Sequence, residues 1–183
     1  AALEDLSVGG VNLIRNSADY TLAADDSDAY WVAADELTPG MSYTLSVKEV
    51  ILITGTAAGV TWKVVEQNSG SVHTSGMLDF TYGKQAVHFM LPETNGNWAL
   101  YLYAGVSGST TGVTVQFRQI KLEEGSFATT WSASPEDDAA QLSQLCGTVS
   151  ALDSGIDGRV TTLIDAMGLT ERFASAEEFL ASL

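Results

Sequence analysis

Gln116-Phe117-Arg118-Gln119-Ile120-Lys121-Leu122-Glu123-Glu124-Gly125-Ser126-Phe127-Ala128-Thr129-Thr130-Trp131-Ser132-Ala133-Ser134-Pro135 is the seam of this 183-residue chain. It continues an alternating run with Val113, Val115 and Phe117 on one face and Thr114, Gln116 and Arg118 on the other, the period-two pattern of a half-buried strand. A Glu-Glu-Gly turn follows, then a tail carrying Phe127 and Trp131 that can tuck under a sheet. Before the seam the chain reads as strand. After Pro135 it reads as helix.

Working backwards, Trp98 to Ala104 sets Trp98, Leu100 and Leu102 against Ala99, Tyr101 and Tyr103, after the hairpin signal Asn95-Gly96-Asn97. Gln85 to Leu91 sets Val87, Phe89 and Leu91 against His88 and Met90. Val60 to Gln67 sets Trp62 and Val64 against Thr61, Lys63 and Val65, and Val72 to Phe80 adds a short strand. Tyr43, Leu45 and Val47 alternate with polar residues after the Pro39-Gly40 turn, and Val50 to Thr54 prolongs that strand or begins another. Tyr30-Trp31-Val32 and Asn12 to Ile14 read as short strands, with Ala18 to Asp28 an acidic loop between them. Short alternating strands divided by turns predict a mainly β fold, an antiparallel jelly-roll-like sandwich over residues 12–134. Trp62, Phe89, Trp98, Phe117 and Trp131 share faces with aliphatic residues and are its expected aromatic core.

Beyond Pro135, Leu142, Leu145, Val149, Leu152, Ile156, Leu163 and Met167 follow the seven-residue spacing of a coiled-coil seam, with Arg159 in the one skipped place beside Val160. Gly147, Gly155 and Gly158 each cost about 1 kcal/mol against Ala, so such a helix needs partners. Residues 135–183 are therefore expected to be a helical oligomerisation segment, its last short helix opened by a capping box at Ser175. Residues 1–11 read as a linker or the end of a preceding stem, and the start at Ala1-Ala2 reads as cut from a longer protein.

A net charge of −15 argues against nucleic acid and against an anionic membrane surface, and no run approaches the length of a membrane span. Cys146 is the sole cysteine, a small filler in the helical seam by this reading. His73 and His88 lie in separate strands, and no metal-binding, nucleophile-elbow or phosphate-loop motif occurs, so no enzyme is expected. Given the face assignments, Tyr101 and Tyr103 share an outer surface with Lys63, His88, Gln116 and Arg118. Aromatic rings with amides and charges are what sugar recognition uses. This grouping requires the strands of Tyr101 and Arg118 to be neighbours in one sheet. The bland alternative is that the tyrosines pack under a loop or against a neighbouring chain.

The run Lys121 to Asp137, with Asn12-Leu13-Ile14-Arg15-Asn16-Ser17 at the other end, resembles the closing and opening segments of carbohydrate-binding-module-like sandwiches in bacteriophage and prophage tail proteins. The resemblance implies a non-enzymatic component of the virion or of a prophage, binding a bacterial surface glycan beside other phage tail proteins, as a homotrimer by fibre analogy. Such modules often hold a structural calcium near their entry and exit strands. The resemblance extends that to Asp19 and Glu123; the acidic loop itself, with Asp19, Asp25, Asp26 and Asp28 as candidate oxygen ligands, reads first as a solvated surface. A trimerising spacer without ligand and a bacterial surface adhesion module are the rival readings.

Overall fold

The structure, a computed structural model, describes residues 10–80, 82–166, 178 and 180–183. The expected linker before Gly10 and the capping box at Ser175 lie outside the described residues. The chain divides into two compact units, Ala1–Asp138 and Ala139–Leu183.

In the first unit, β1 (Asp19–Ala23), β2 (Tyr30–Leu37), β3 (Ser42–Thr54), β4 (Val60–Glu66), β5 (Ser71–Leu78), β6 (Tyr82–Met90), β7 (Trp98–Tyr103) and β8 (Thr114–Glu124) form two antiparallel sheets. Sheet I runs β1-β8-β3-β6 and sheet II runs β2-β7-β4-β5. This is jelly-roll order: every connection except the β4–β5 hairpin passes from one sheet to the other. The fold is thus an antiparallel sandwich followed by a helix.

Alternation builds the core directly. Leu45, Val47, Val115 and Phe117 of sheet I and Val64, Leu100 and Leu102 of sheet II are wholly shielded, each such side chain contributing about 1.5–3 kcal/mol by leaving water. Trp62 of sheet II stacks on Phe89 of sheet I at 5.8 Å, and Tyr20 on Trp31 at 3.7 Å, so rings join the layers at two places. Trp131, expected in this core, lies outside it. It is half-buried, and its indole N–H donates to the Ile120 carbonyl at 3.1 Å and Ser17 Oγ at 3.3 Å.

Two further departures have physical causes. Asn12 to Ile14 is not a strand. Instead the buried Asn12 amide donates to Ser17 Oγ, Ile120 O and Ser132 O, while its Oδ1 accepts from the amides of Ile14 and Leu122. The edge strand β1 lies inside the acidic loop, because Tyr20 and Leu22 alternate there and pair with Phe117 and Val115. In β8, Gln119 takes a positive φ of 48° and reverses the strand's parity. Phe117 therefore faces the core, and so do Ile120 and Leu122, while Lys121 and Glu123 face outward.

The β4–β5 turn is held by one carboxylate. Hydrogen bonds from Ser69 first, then from the Asn97 amide, hold the Glu66 carboxyl at about 2 against an ordinary value of 4.5. A depressed carboxyl adds stability fully present above pH 4.5 and lost as pH falls through about 2. A carbonyl NMR titration of Glu66 should accordingly show its midpoint near pH 2, with the Ser69 and Asn97 amides moving in step. A midpoint near 4.5 would mean the turn is open in solution.

Helix α1 (Pro135–Ala166) begins within the first unit. Ser134 caps it, its Oγ accepting from the Asp137 amide at 3.2 Å, and Pro135 stands at the first helical position, where a missing N–H costs nothing. The Asp137 carboxylate in turn accepts from the Asn16 amide at 2.8 Å. In the second unit every described helical residue is exposed, including Cys146 and the apolar positions from Leu142 to Leu163.

Candidate ligand-binding face

Sheet II presents a tyrosine cluster on its outer side. β2 lies beside β7 with Tyr30 opposite Tyr103 and Val32 opposite Tyr101; β4 lies on the other flank with Lys63 opposite Tyr101. Because Leu100 and Leu102 point into the core, Tyr101 and Tyr103 must point away from it. Tyr30 stacks on Tyr101 at 4.5 Å with rings 10° apart, and leans on Tyr103 at 5.6 Å. The Lys63 ammonium sits 4.7 Å from the Tyr103 ring centroid, a cation–π contact.

This cluster is braced by a loop. Lys63 Nζ donates to Ser107 Oγ at 2.6 Å, and Ser107 Oγ donates to Asp28 Oδ1 at 2.8 Å. The Gly108 amide reaches the same carboxylate oxygen at 2.7 Å, and the Ser107 amide donates to Thr61 Oγ1 at 3.0 Å. Thr110 Oγ1 accepts from the Ala29 amide and donates to the Asp26 carbonyl, tying that loop to the approach to β2. The neighbouring Tyr101 phenol first, then partial burial, push the Tyr30 phenol above its ordinary value, so it stays protonated and keeps both donor and acceptor capacity. Tyr30 is 46% exposed, Tyr101 is half-buried and Tyr103 only 4% exposed. Tyr103 is therefore a foundation for the other two rings, correcting the expectation that it would be open. Tyr30's ring and the Lys63 ammonium stand against it.

The six residues expected on one surface divide between two. Tyr101, Tyr103 and Lys63 are together on sheet II; Gln116, Arg118 and His88 belong to sheet I. The required adjacency of β7 and β8 fails because a jelly roll sends these consecutive strands to different layers. His88 is exposed opposite Thr44. Arg118 is engaged by Asp19 at 3.4 Å and Glu49 at 3.3 Å, its register partners on the two flanking strands. Tyr30 and Ser107 were missed by sequence reading, and Asp28 was read only as part of the acidic loop. The alternation of Tyr30 and Val32 about Trp31 was the available signal for the first.

Asp19 and Glu123 do not converge either. Asp19 pairs with Arg118 in β8, five positions before Glu123, and Glu123 forms a buried ion pair with Lys121 at 3.2 Å. Among the described residues, no group of three or more His, Cys, Asp or Glu side chains is placed to hold a metal ion. No described helix is long and apolar enough to cross a membrane.

No protein-family model matches the chain, and no curated protein does. Among solved structures it is similar to the tripod from the baseplate of bacteriophage Tuc2009, with a TM-score of 0.46 and 19% identity over 71% of this chain. The chain spans 60% of that protein's length. A family 4 carbohydrate-binding module gives a TM-score of 0.39 and 14% identity, covering 58% of this chain and 70% of that one. A family 16 carbohydrate-binding module gives 0.38 and 15%, covering 57% and 74%. Phage baseplate and carbohydrate-binding structures thus stand among its neighbours. At these scores the jelly roll rests on the chain's own strand order.

Proposed function

We propose that this chain is a non-enzymatic component of a phage or prophage tail that binds a bacterial surface glycan through the outer face of sheet II. The observation that carries the reading is the Tyr30–Tyr101 stack, raised on buried Tyr103 and flanked by the Lys63 ammonium. Stacked phenols offer a flat apolar surface for a pyranose ring, and their hydroxyls with Lys63 and Ser107 offer donors and acceptors for its hydroxyl groups. Prior bracing by Asp28, Ser107 and Thr110 lowers the cost of ordering such a site when ligand arrives. The resemblance of Lys121 to Asp137 to tail-protein modules supports the setting. Display of several copies on one particle would let weak individual sites act together.

An array of bacterial surface glycans, probed with the whole chain and with Tyr101→Ala, tests it. The wild type should bind, and the variant should lose at least about tenfold in affinity, as befits an aromatic contact with its ligand. Failure of the wild type on every glycan would overturn the reading. It would leave the rival, a trimerising spacer without ligand, which the exposed apolar stripe of α1 favours.

A further inference from the structure

A separate pocket of about 250 Å³ lies on sheet I, on the layer opposite the tyrosines, lined by Lys48, Lys84, Gln119, Trp131, Ser46 and Thr130. Its volume is just below the roughly 300 Å³ at which drug-sized sites begin, the scale of a single sugar residue. We propose that this pocket takes an anionic saccharide, with a sugar face against Trp131 and its acid group between Lys48 and Lys84.

The charge pattern is the first argument. The chain carries 8 Lys and Arg against 23 Asp and Glu, yet two lysines face one small pocket with no carboxylate among its lining residues. Register explains their closeness. Val47 pairs with Gln85 on β6 and with Ile120 on β8; the β3–β6 register shifts between Val47 and Glu49, and at that irregularity Lys48 and Lys84 line the same pocket, with Gln119 of β8 on the other flank. Like charges set side by side on adjacent strands are destabilising unless an anion lies between them. The nearby acids are committed elsewhere: Glu49 and Asp19 hold Arg118, and Glu123 holds Lys121. Lys84 donates to the Thr129 carbonyl at 2.8 Å, a neutral acceptor that leaves its charge uncompensated. Lys48 makes no hydrogen bond or ion pair among the described residues.

Shape is the second argument. Trp131 is half-buried with its indole N–H fixed by Ile120 O and Ser17 Oγ, which sets the ring's orientation at the pocket. Gln119 enters the lining from the parity-reversing bulge, held at a positive φ by its amide's bond to the Ala18 carbonyl at 2.8 Å. A fixed indole, a side-chain amide and two ammonium groups together suit a ring that carries a carboxylate or a phosphate.

The experiment is calorimetric titration of the whole chain with trigalacturonate, with glucose 1-phosphate and with neutral galactotriose. One of the two anionic probes should bind at least about tenfold more tightly than the neutral one, and which one it is separates carboxylate from phosphate recognition. Lys48→Gln should weaken that binding by about tenfold, the worth of one charge-assisted hydrogen bond, while the melting temperature of the ligand-free chain does not fall, because a like-charge neighbour has been removed. Arg15→Gln, the same change in net charge elsewhere, should leave binding as it is. No saturable binding of either anion, equal binding of the neutral sugar, or indifference to Lys48→Gln would each overturn the proposal. Tyr101→Ala should not alter this binding, so the tyrosine face and this pocket fail independently.

Discussion

Lys121→Met is expected to destabilise the sandwich by about 3–5 kcal/mol, the range for breaking one side of a buried ion pair. Lys121 is 0% and Glu123 1% exposed, with Nζ 3.2 Å from Oε2. Both charges are fully provided for. Lys121 Nζ also donates to Thr129 Oγ1 and the Thr130 carbonyl, and Glu123 accepts from Thr129 through both amide and hydroxyl and from the Gly10 amide. Burial pushes the Glu123 carboxyl up, but the Thr129 hydrogen bonds and then Lys121 more than offset it and hold it below the ordinary carboxylate range. With Lys121 gone, burial acts unopposed by an ammonium and the carboxylate is stranded. A Lys121→Met/Glu123→Leu double variant should lose much less than either single one, because desolvating two ions offsets most of what the pair gains. Urea unfolding of the four proteins gives the cycle. A single-variant cost below about 1 kcal/mol, the range of exposed pairs, would mean water reaches the site. The lowered Glu123 carboxyl also carries a sign: its contribution is present above the ordinary carboxylate value and lost as pH falls below it.

This pair also shows where sequence reading stopped. Alternation from Val113 to Arg118 was legible and correct, with Val113, Val115 and Phe117 on the core side. Nothing in Arg118-Gln119-Ile120 announces the bulge, since positive φ falls on a glutamine rather than a glycine. Beyond that point the expected faces invert, and two charged residues come to lie outward under a tail anchored by Thr129 and Trp131. Strand existence was likewise readable from Tyr43 onward, whereas strand order was not. Periodicity says which way a side chain points within its own strand and nothing about which strand lies alongside. Hence the parity of Tyr101 and Tyr103 was right, and their supposed neighbours Gln116 and Arg118 went to the other sheet. The edge strand β1 escaped notice because Tyr20 and Leu22 sit among acids that masked a two-residue alternation. A second aromatic stack was hidden for a different reason: Tyr30 meets Tyr101 only through pairing of β2 with β7, across seventy residues of chain.

Leu152→Asp is expected to convert a self-associated chain into a monomer. Along α1 the seam residues Leu142, Leu145, Val149, Leu152, Ile156 and Leu163 are between 55% and 63% exposed in the single chain, Val160 beside the skipped place is 48% exposed, and no residue of the helix is buried. A helix so exposed gains nothing from packing, and Gly147, Gly155 and Gly158 remove about 1 kcal/mol each from its intrinsic stability. Burying the stripe against copies of itself would supply what is missing, since the seven-residue spacing would line up the same residues in each chain. Leu152 is central to the stripe and the most exposed of these seven. Truncating a buried leucine costs about 2–5 kcal/mol per chain, and an aspartate adds the desolvation of its charge. Across three chains the minimum is about 6 kcal/mol, which lowers the association constant by at least about ten-thousand-fold. Sedimentation equilibrium should give three times the chain mass for the wild type and one for the variant, with the sandwich still folded by near-ultraviolet dichroism. A wild type that stays monomeric at high concentration would sink the trimer. A dimer would keep the seam and change its geometry, because the spacing fixes which residues meet and not how many helices meet there.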